Sequence, residues 1–205
     1  FQTLANYYRR KINPKVVAIT GSNGKTTTKD MTASVLATQY RVFKTPNNYN
    51  NGIGVPFTVL SMSSKTQVLV VEMGMDHAGQ LDRLSKIVQP DVTLITMIGE
   101  AHIEHFGTRA KIADAKMEIT HGLKKTGTFL FNGDEPLLQT RAKSVGQRKL
   151  TFGDQSTNQM YPVRIQDHAN RTDFYSSCWP HLKFTIPIIG DYNVNNACAA
   201  LLIGR

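Results

Sequence analysis

A chain of 205 residues, 40% hydrophobic and 19% charged, can bury a sizeable core, which excludes a disordered or fibrous protein. Its formal net charge of +9 does not indicate nucleic acid, because the lysines and arginines are scattered and form no basic–aromatic motif. No apolar run approaches the roughly 20 residues of a membrane span, and no signal peptide opens the chain, so we expect a cytoplasmic protein.

The spacing of apolar residues predicts alternating helices and strands over most of the chain. A lead-in helix is predicted over residues 1–13, followed by a β-branched strand at 16–19. Further helices are predicted at 25–39, 55–60, 81–88 and 109–123, and further strands at 41–44, 67–73, 91–97 and 128–131. This alternation predicts an α/β fold with a doubly wound, mainly parallel sheet flanked by helices.

The pattern changes at about residue 147. From there to about 189 the chain consists of short strand-like pieces, such as KLTFG and LKFTIPI, separated by polar turn residues. We expect them to form a small antiparallel β appendage to the main domain. The tail returns to a helical pattern at 192–203.

The segment VVAITGSNGKTTT, residues 16–28, has the pattern of a phosphate-binding loop (P-loop). Gly21 and Gly24 allow a tight turn whose backbone N–H groups can point at a polyphosphate. Lys25 supplies charge, and a threonine hydroxyl can reach a magnesium ion. The usual pattern has a glycine where this chain has Ile19. A simple glycine turn with a solvated lysine is the alternative, but the strand, the glycines, the Lys-Thr pair and the following helix all favour a phosphate site.

Polar residues also follow two later strands, and ligands of open α/β sheets bind beyond the carboxyl ends of strands. Glu72 ends a buried apolar run, so its carboxylate must be paired in a salt bridge or bound to metal. In the loop GEAHIEHFG, residues 99–107, His102 stands among carboxylates. These are ordinary solvated residues unless a phosphate site lies beside them, in which case His102 is a candidate metal ligand.

Lys116 lies on the apolar face of the helix predicted at 109–123, between Ile112 and Ile119. From the pattern alone, such a lysine reaches out to solvent along its aliphatic chain. A partly buried lysine with a lowered pKa would instead carry a nucleophilic amine. The pattern by itself favours the first interpretation.

Seven motifs together resemble the central ATPase domain of the Mur ligase family, from about residue 8 to the end. They are TGSNGKTTT, TPNNYNNGIGVP, VVEMG, ITMIGEAHIEHFG, IADAKMEI, NGDEP and GDYNVNNACAA. TPNNYNNGIGVP, AHIEHFG and AKMEI are most similar to the branch of the family that adds D-Ala-D-Ala to UDP-MurNAc-tripeptide. The resemblance implies an N-terminal UDP-binding domain and a C-terminal domain, both absent from these residues.

The resemblance also implies roles for individual residues. The ATP-binding residues would be Gly21, Ser22, Asn23, Gly24, Lys25, Thr26, Thr27, Asn193 and Asn196. The magnesium ligands would be Thr26, Glu72, His102 and Lys116, with Lys116 carbamylated by carbon dioxide. The catalytic residues would be Lys25, His102 and Lys116, and the path of the UDP-linked substrate would be lined by Asn50 and Asn51.

Three residues depart from the family pattern. Met97 stands where the family generally has Asn, Gln80 stands where it has Glu, and Tyr192 replaces the His before Asn193. The first two put local hydrogen bonds in doubt, and the third alters the expected stack on adenine. None of them touches the phosphate chemistry.

The activity that the resemblance implies is ATP-dependent amide formation through an acyl phosphate, by a monomer acting on UDP-MurNAc-tripeptide and D-Ala-D-Ala. One alternative is a sister ligase, either the diaminopimelate- or lysine-adding Mur enzyme or folylpolyglutamate synthase, against which TPNNYNNGIGVP argues. The other is a nucleotide-binding module that is inactive in isolation.

Overall fold

The computed structural model describes residues 1–205 as eight α-helices and nine strands. In chain order they are α1 Gln2–Ile12, β1 Lys15–Thr20, α2 Lys25–Leu36, β2 Val42–Lys44, α3 Gly54–Ser61, β3 Val68–Glu72, α4 Gln80–Val88, β4 Val92–Ile95, α5 Ile103–Phe106, α6 Arg109–Met117, β5 Thr128–Asn132, α7 Pro136–Ala142, β6 Arg148–Phe152, β7 Pro162–Asp167, β8 Thr172–Ser176, β9 Trp179–Ile186 and α8 Asp191–Gly204. No helix is both long and apolar enough to cross a membrane.

The main sheet has six parallel strands in the order β2-β3-β1-β4-β5-β6. The connection after β1 leads to one side of the sheet and the connection after β3 leads to the other. This reversal leaves a crevice at the carboxyl ends of β1 and β3, where ligands of such sheets bind. In the register of the sheet Ile19 lies opposite Glu72, so both strands end at that crevice.

Helices cover both faces of the sheet. Val16 and Ala18 of β1 pack into a core with α1, α3, α4 and α6, while Val17 and Ile19 pack into a second core with α2 and α8. A strand that is apolar on both faces is expected of a parallel sheet between helical layers. The predicted fold class is therefore confirmed.

The prediction of an appendage from about residue 147 is wrong at its start. Residues Arg148–Phe152 form β6, which pairs in parallel with β5 and completes the main sheet. Phe152 is buried in the same core as Val17 and Ile19. The alternation in KLTFG identifies a strand, but it does not say which strand pairs with it. The antiparallel appendage consists of β7, β8 and β9 only.

Several helices also differ from the predictions: α2 ends at Leu36 and not at residue 39, and the short helix α5 was not predicted. The helix predicted at 109–123 ends at Met117 and continues as a 3₁₀ helix over Glu118–Gly122. Helix α7 was not predicted, although Glu135 caps it by accepting a hydrogen bond from the backbone N–H of Leu137 at 3.2 Å. Its seven residues are too few for a helical period to stand out.

Asp91, which precedes β4, connects the starts of three strands. Its carboxylate accepts hydrogen bonds from the backbone N–H of Val16 at 2.9 Å and from Lys124 Nζ at 2.8 Å, and its carbonyl accepts one from the N–H of Thr128. Burial by itself raises the pKa of Asp91, but the bonds from Lys124 and Val16 outweigh it, so the pKa lies below the ordinary 3.8. The ionised carboxylate therefore stabilises the fold above that pH.

Asp91→Asn should lower the free energy of unfolding at pH 7 by about 1.5 to 3 kcal/mol, the range for hydrogen bonds to a charged group. Because the folded-state pKa of Asp91 is depressed, the deficit should shrink as the pH falls through that pKa, below 3.8. Urea unfolding between pH 2.5 and 7 measures it. Glu104→Gln, at a side chain that is 67% exposed, is the matched control. A deficit that stays constant with pH would contradict this account.

Candidate functional site

The turn between β1 and α2 requires glycine at two positions. Gly21 has φ +151°, and a Cβ there would lie 1.8 Å from Thr96 Oγ1. Gly24 has φ +81°, and a Cβ there would lie 2.8 Å from Asn196 Oδ1. These are close approaches to the residue that follows β4 and to α8, and φ values in this region favour glycine. The turn is thus packed between two other elements.

Hydrogen bonds fix the turn against the loop that follows β4. The N–H of Ser22 donates to Met97 O at 3.0 Å, and Ser22 Oγ accepts from the N–H of Gly99 at 2.8 Å. Thr96 Oγ1 donates to Asn23 O at 2.5 Å. Met97 makes its bond through the backbone, so the departure from Asn at this position leaves the contact intact.

Lys25, the first residue of α2, extends back across the turn. Its Nζ donates to Gly21 O at 2.9 Å and to Ser22 O at 3.1 Å. Burial lowers the pKa of Lys25, and the nearby negative charge of Glu72 partly offsets this. The amine therefore lies inside the turn, at the N-terminus of a helix, where an anion is favoured.

Glu72 is 2% exposed, and its carboxylate is surrounded by donors. Oε2 accepts from Thr26 Oγ1 at 2.9 Å, Oε1 accepts from Asn50 Nδ2 at 2.9 Å, and Lys29 Nζ lies 3.7 Å away. The salt bridge that the sequence offered as one partner for Glu72 is therefore present, and it is formed with Lys29. Hydroxyl and carboxylate oxygens in contact are also the donors that magnesium prefers, so Thr26 and Glu72 fit that ion.

Seven of the predicted site residues line one cavity of about 380 Å³ at the crevice of the sheet: Gly21, Ser22, Lys25, Asn50, Asn51, His102 and Lys116. Asp76, Gln80 and Arg83 also line it. Asn51 Oδ1 accepts hydrogen bonds from the N–H groups of Ile53 and Gly54, which fixes the start of α3. The cavity therefore joins the phosphate-type turn to the asparagine-rich loop.

Lys116 is 3% exposed, so it does not extend to solvent as the pattern alone favoured. Burial, and secondarily the positive charge of Lys25, lower the pKa of Lys116 to about 7. No carboxylate offsets these two effects. Near neutral pH a large fraction of this amine is uncharged and nucleophilic.

A second cavity of about 370 Å³ lies on the other side of the turn, bordered by the end of β5 and the start of α8. It is lined by Asn23, Gly24, Thr96, Met97, Asn132, Phe152, Tyr192, Asn195 and Asn196. Of the two asparagines predicted to reach adenine, only Asn196 lines it. Asn193 is buried, donates to Ile189 O at 2.8 Å and accepts from Asn196 Nδ2 at 3.5 Å. Asn193 therefore orients Asn196.

Sequence reasoning missed Asn132 and Asn195 in this second cavity. Asn132 ends β5, so the strand-end rule that selected Glu72 could also have selected it. Asn195 lies within the quoted GDYNVNNACAA, but nothing in the spacing separates it from Asn193. Tyr192 is 71% exposed at the rim, where its ring is open to a stacking partner.

Three further residues singled out in the sequence are His102, Thr27 and Gln80. His102 has a left-handed backbone (φ 64°), and its Nδ1 lies 3.5 Å from Asp76 Oδ1. The structure forms no hydrogen bond between His102 and Thr26 or Glu72. Thr27 lies with Thr26 on an apolar groove between α2 and α8. Gln80 Oε1 accepts from the N–H of Asp76 at 2.7 Å, as a carboxylate oxygen would.

Known proteins with similar sequences agree with the phosphate-type turn described above. A family model described as the Mur ligase middle domain matches residues 19–204. The chain belongs to the Mur ligase family. It is 44% identical over 203 residues to UDP-N-acetylmuramoyl-tripeptide–D-alanyl-D-alanine ligase from Bacillus subtilis, covering 99% of this chain and 44% of that protein.

Solved Mur ligase structures have the same fold. MurF from Acinetobacter baumannii superposes with a TM-score of 0.91 at 32% identity, over 98% of this chain and 45% of that one. MurF from Thermotoga maritima in complex with ADP superposes with a TM-score of 0.86 at 31% identity, over 98% and 48%. The chain spans less than half the length of these relatives.

Gly21→Ala should destabilise this Mur ligase middle domain by about 1 to 3 kcal/mol, the usual cost of overpacking, because the new Cβ would overlap Thr96 Oγ1. Gly146→Ala is the matched control, since a Cβ there meets nothing within 4 Å, and it should stay within about 0.5 kcal/mol. Adding Thr96→Ala to Gly21→Ala should recover part of the loss in a double-mutant cycle. Equal unfolding free energies for the two glycine variants would contradict the packing of the turn.

Proposed function

We propose that this chain is the ATP-binding domain of a ligase that joins D-Ala-D-Ala to UDP-MurNAc-tripeptide. The observation that carries the proposal is the cavity in which Lys25 of the glycine turn and the buried amine of Lys116 meet Asn50 and Asn51. The 44% identity to the Bacillus subtilis ligase supports the choice of substrates. Because the reaction consumes ATP, we propose that the protein works in the cytoplasm, and we propose that it acts as a monomer.

The proposed reaction has two steps. A carboxylate oxygen of the tripeptide attacks the γ-phosphorus of ATP, and ADP leaves, which forms an acyl phosphate. The amino nitrogen of D-Ala-D-Ala then attacks the acyl carbon, phosphate leaves, and the nitrogen loses a proton as the amide forms. The first step brings two anions together, so the task of the protein is mainly positioning and charge neutralisation.

Residues of this chain have distinct parts in that task. The N–H groups of the turn at 21–24 and the amine of Lys25 would bind phosphate oxygens, and Thr27 would support them. Thr26, Glu72 and His102 would hold magnesium, which when bound screens the charge of the phosphates. Asn196 and Tyr192 would contact adenine in the second cavity, with Asn193 orienting Asn196.

We also propose that Lys116 is carbamylated. Its uncharged amine attacks carbon dioxide, a C–N bond forms, and one proton is released, so the side chain becomes a carbamate anion. The buried position and the neighbouring charge of Lys25 disfavour the ammonium. The positive charge of Lys25 favours an anion at the same place, because a negative group pairs with Lys25 and can help to place magnesium.

Two other functions remain as alternatives. A sister ligase would use the same turn and the same lysine but add diaminopimelate, lysine or glutamate. A nucleotide-binding module would bind ATP without any ligation. The choice of amino substrate separates the first alternative, and the formation of a product separates the second.

The function is tested with a full-length ligase that carries this domain. Given ATP, magnesium and UDP-MurNAc-tripeptide, it should form the pentapeptide product with D-Ala-D-Ala, detected by mass spectrometry, and none with diaminopimelate or lysine. Lys25→Ala should weaken Mg-ATP binding by about 1.5 to 3 kcal/mol in calorimetry. The 205-residue domain alone should bind ATP but form no amide, because acyl transfer needs reactants held in place, an effect worth about 7 to 11 kcal/mol. Unchanged affinity in Lys25→Ala, or a product only with another amino acid, would overturn the proposal.

The carbamate is tested by ¹³C NMR of the magnesium-loaded full-length enzyme in ¹³C-bicarbonate. A carbamate signal should be present above pH 7, where the Lys116 amine is neutral, and fade at lower pH. Lys116→Ala should remove the signal and at least about a hundredfold of the activity, as when one electrostatic group of an active site is deleted. Lys111→Ala, at an exposed lysine of the same helix, is the control and should retain both. A fully active enzyme without the signal would exclude the carbamate.

A further inference from the structure

The loop between β4 and α6 places three potential metal ligands side by side. The ligand atoms of His102, Glu104 and His105 all lie within 4.8 Å of one another. Helix α5 starts directly after His102, so His102 and His105, three positions apart, project from one turn. The buried ring of Phe106 anchors that turn to the core. The cluster therefore has a fixed base and free side chains.

The spacing of these atoms is close to that of a metal site. His105 Nε2 lies 3.8 Å from Glu104 Oε1. Two ligands of a tetrahedral zinc ion, each bonded at about 2.1 Å, are about 3.4 Å apart. The side chains of His102, Glu104 and His105 are 40%, 67% and 45% exposed, so small rotamer changes can close the remaining gap. An ion can also reach them directly from solvent.

The loop after β3 supports the cluster from a second direction. Asp76 Oδ1 lies 3.5 Å from His102 Nδ1, which leaves Nε2 of His102 for a metal. A carboxylate on the second ring nitrogen is the usual partner of a metal-binding imidazole. The ring of His77 lies 5.0 Å from that of His105. Gln80 Oε1 accepts from the backbone N–H groups of Asp76 and His77, so this loop is held in place.

We propose that His102, Glu104 and His105 bind a divalent cation of the zinc class, with Asp76 orienting His102. Two imidazoles and one carboxylate suit zinc, whereas magnesium prefers oxygen donors such as those of Thr26 and Glu72. Zinc binding at this loop does not depend on the proposed ligase activity. Zinc binding would nevertheless affect that activity, because His102 belongs both to the zinc cluster and to the proposed magnesium site. A bound zinc ion would withdraw the imidazole of His102 from the magnesium site and so inhibit turnover.

Binding is tested by titrating zinc chloride into the 205-residue protein and following the heat, with magnesium present in excess. One zinc per chain should bind with micromolar affinity. His105→Ala should weaken this binding at least tenfold. His121→Ala is the matched control, because His121 pairs with Asp82 outside the cluster, and it should bind zinc like the unaltered protein. The exposed position of His105 predicts an unchanged melting temperature for His105→Ala.

Cobalt gives a second readout that reports the ligands directly. The visible absorption of four-coordinate cobalt should develop in the unaltered protein and be lost in His105→Ala. Absence of stoichiometric zinc binding, or equal affinity in His105→Ala, would overturn the site. In the full-length ligase, micromolar zinc should slow ligation by the unaltered enzyme and spare His105→Ala. Equal inhibition of both enzymes would overturn the antagonism while leaving the binding result to stand on its own.

Discussion

The carboxylate of Glu72 is almost fully shielded from water at the carboxyl end of β3, and a buried anion persists only where donors surround it. Its donors come from different parts of the chain: Thr26 and Lys29 from α2, and Asn50 from the loop before α3. Each must reach the same two oxygens. This requirement holds the glycine turn and the asparagine-rich loop on opposite sides of one crevice, and the rest of the site is built around that arrangement.

The amines of two lysines in the crevice favour the binding of an anion. Lys25 and Lys116 share one cavity, and after burial the positive charge of Lys25 is the second cause that lowers the pKa of Lys116. No carboxylate neutralises Lys116 within the protein. A ligand that brings negative charge, or a carbamate formed on Lys116 itself, relieves this repulsion. Preorganised positive charge of this kind acts on developing anions without reorganisation, which is the main catalytic resource of phosphoryl and acyl transfer.

The donor atoms of the site fall into two chemical groups. The hydroxyl of Thr26 donates to the buried carboxylate of Glu72 beside the glycine turn, whereas the imidazoles of His102 and His105 lie on an exposed loop. Hard and softer cations prefer different members of this set. His102 lines the cavity and also belongs to the exposed loop between β4 and α6. Zinc and magnesium would therefore compete for its imidazole, and this competition connects the loop to the proposed magnesium chemistry.

The parallel sheet, the helices that flank it and the glycine turn could all be predicted from the residues alone. Those features follow from local patterns: a run that is apolar on both faces, and glycines placed before a Lys-Thr pair. The motifs also identified the family, and the family model and the relatives confirmed it. The partner of β6 became known from the three-dimensional fold, because alternation assigns side chains to faces and not to neighbouring strands. Packing also determines the burial of Lys116, where the pattern favoured exposure, and the separate positions of Asn193 and Asn196. Burial and orientation of this kind depend on packing between segments distant in the chain, and that packing leaves no periodic trace in the sequence.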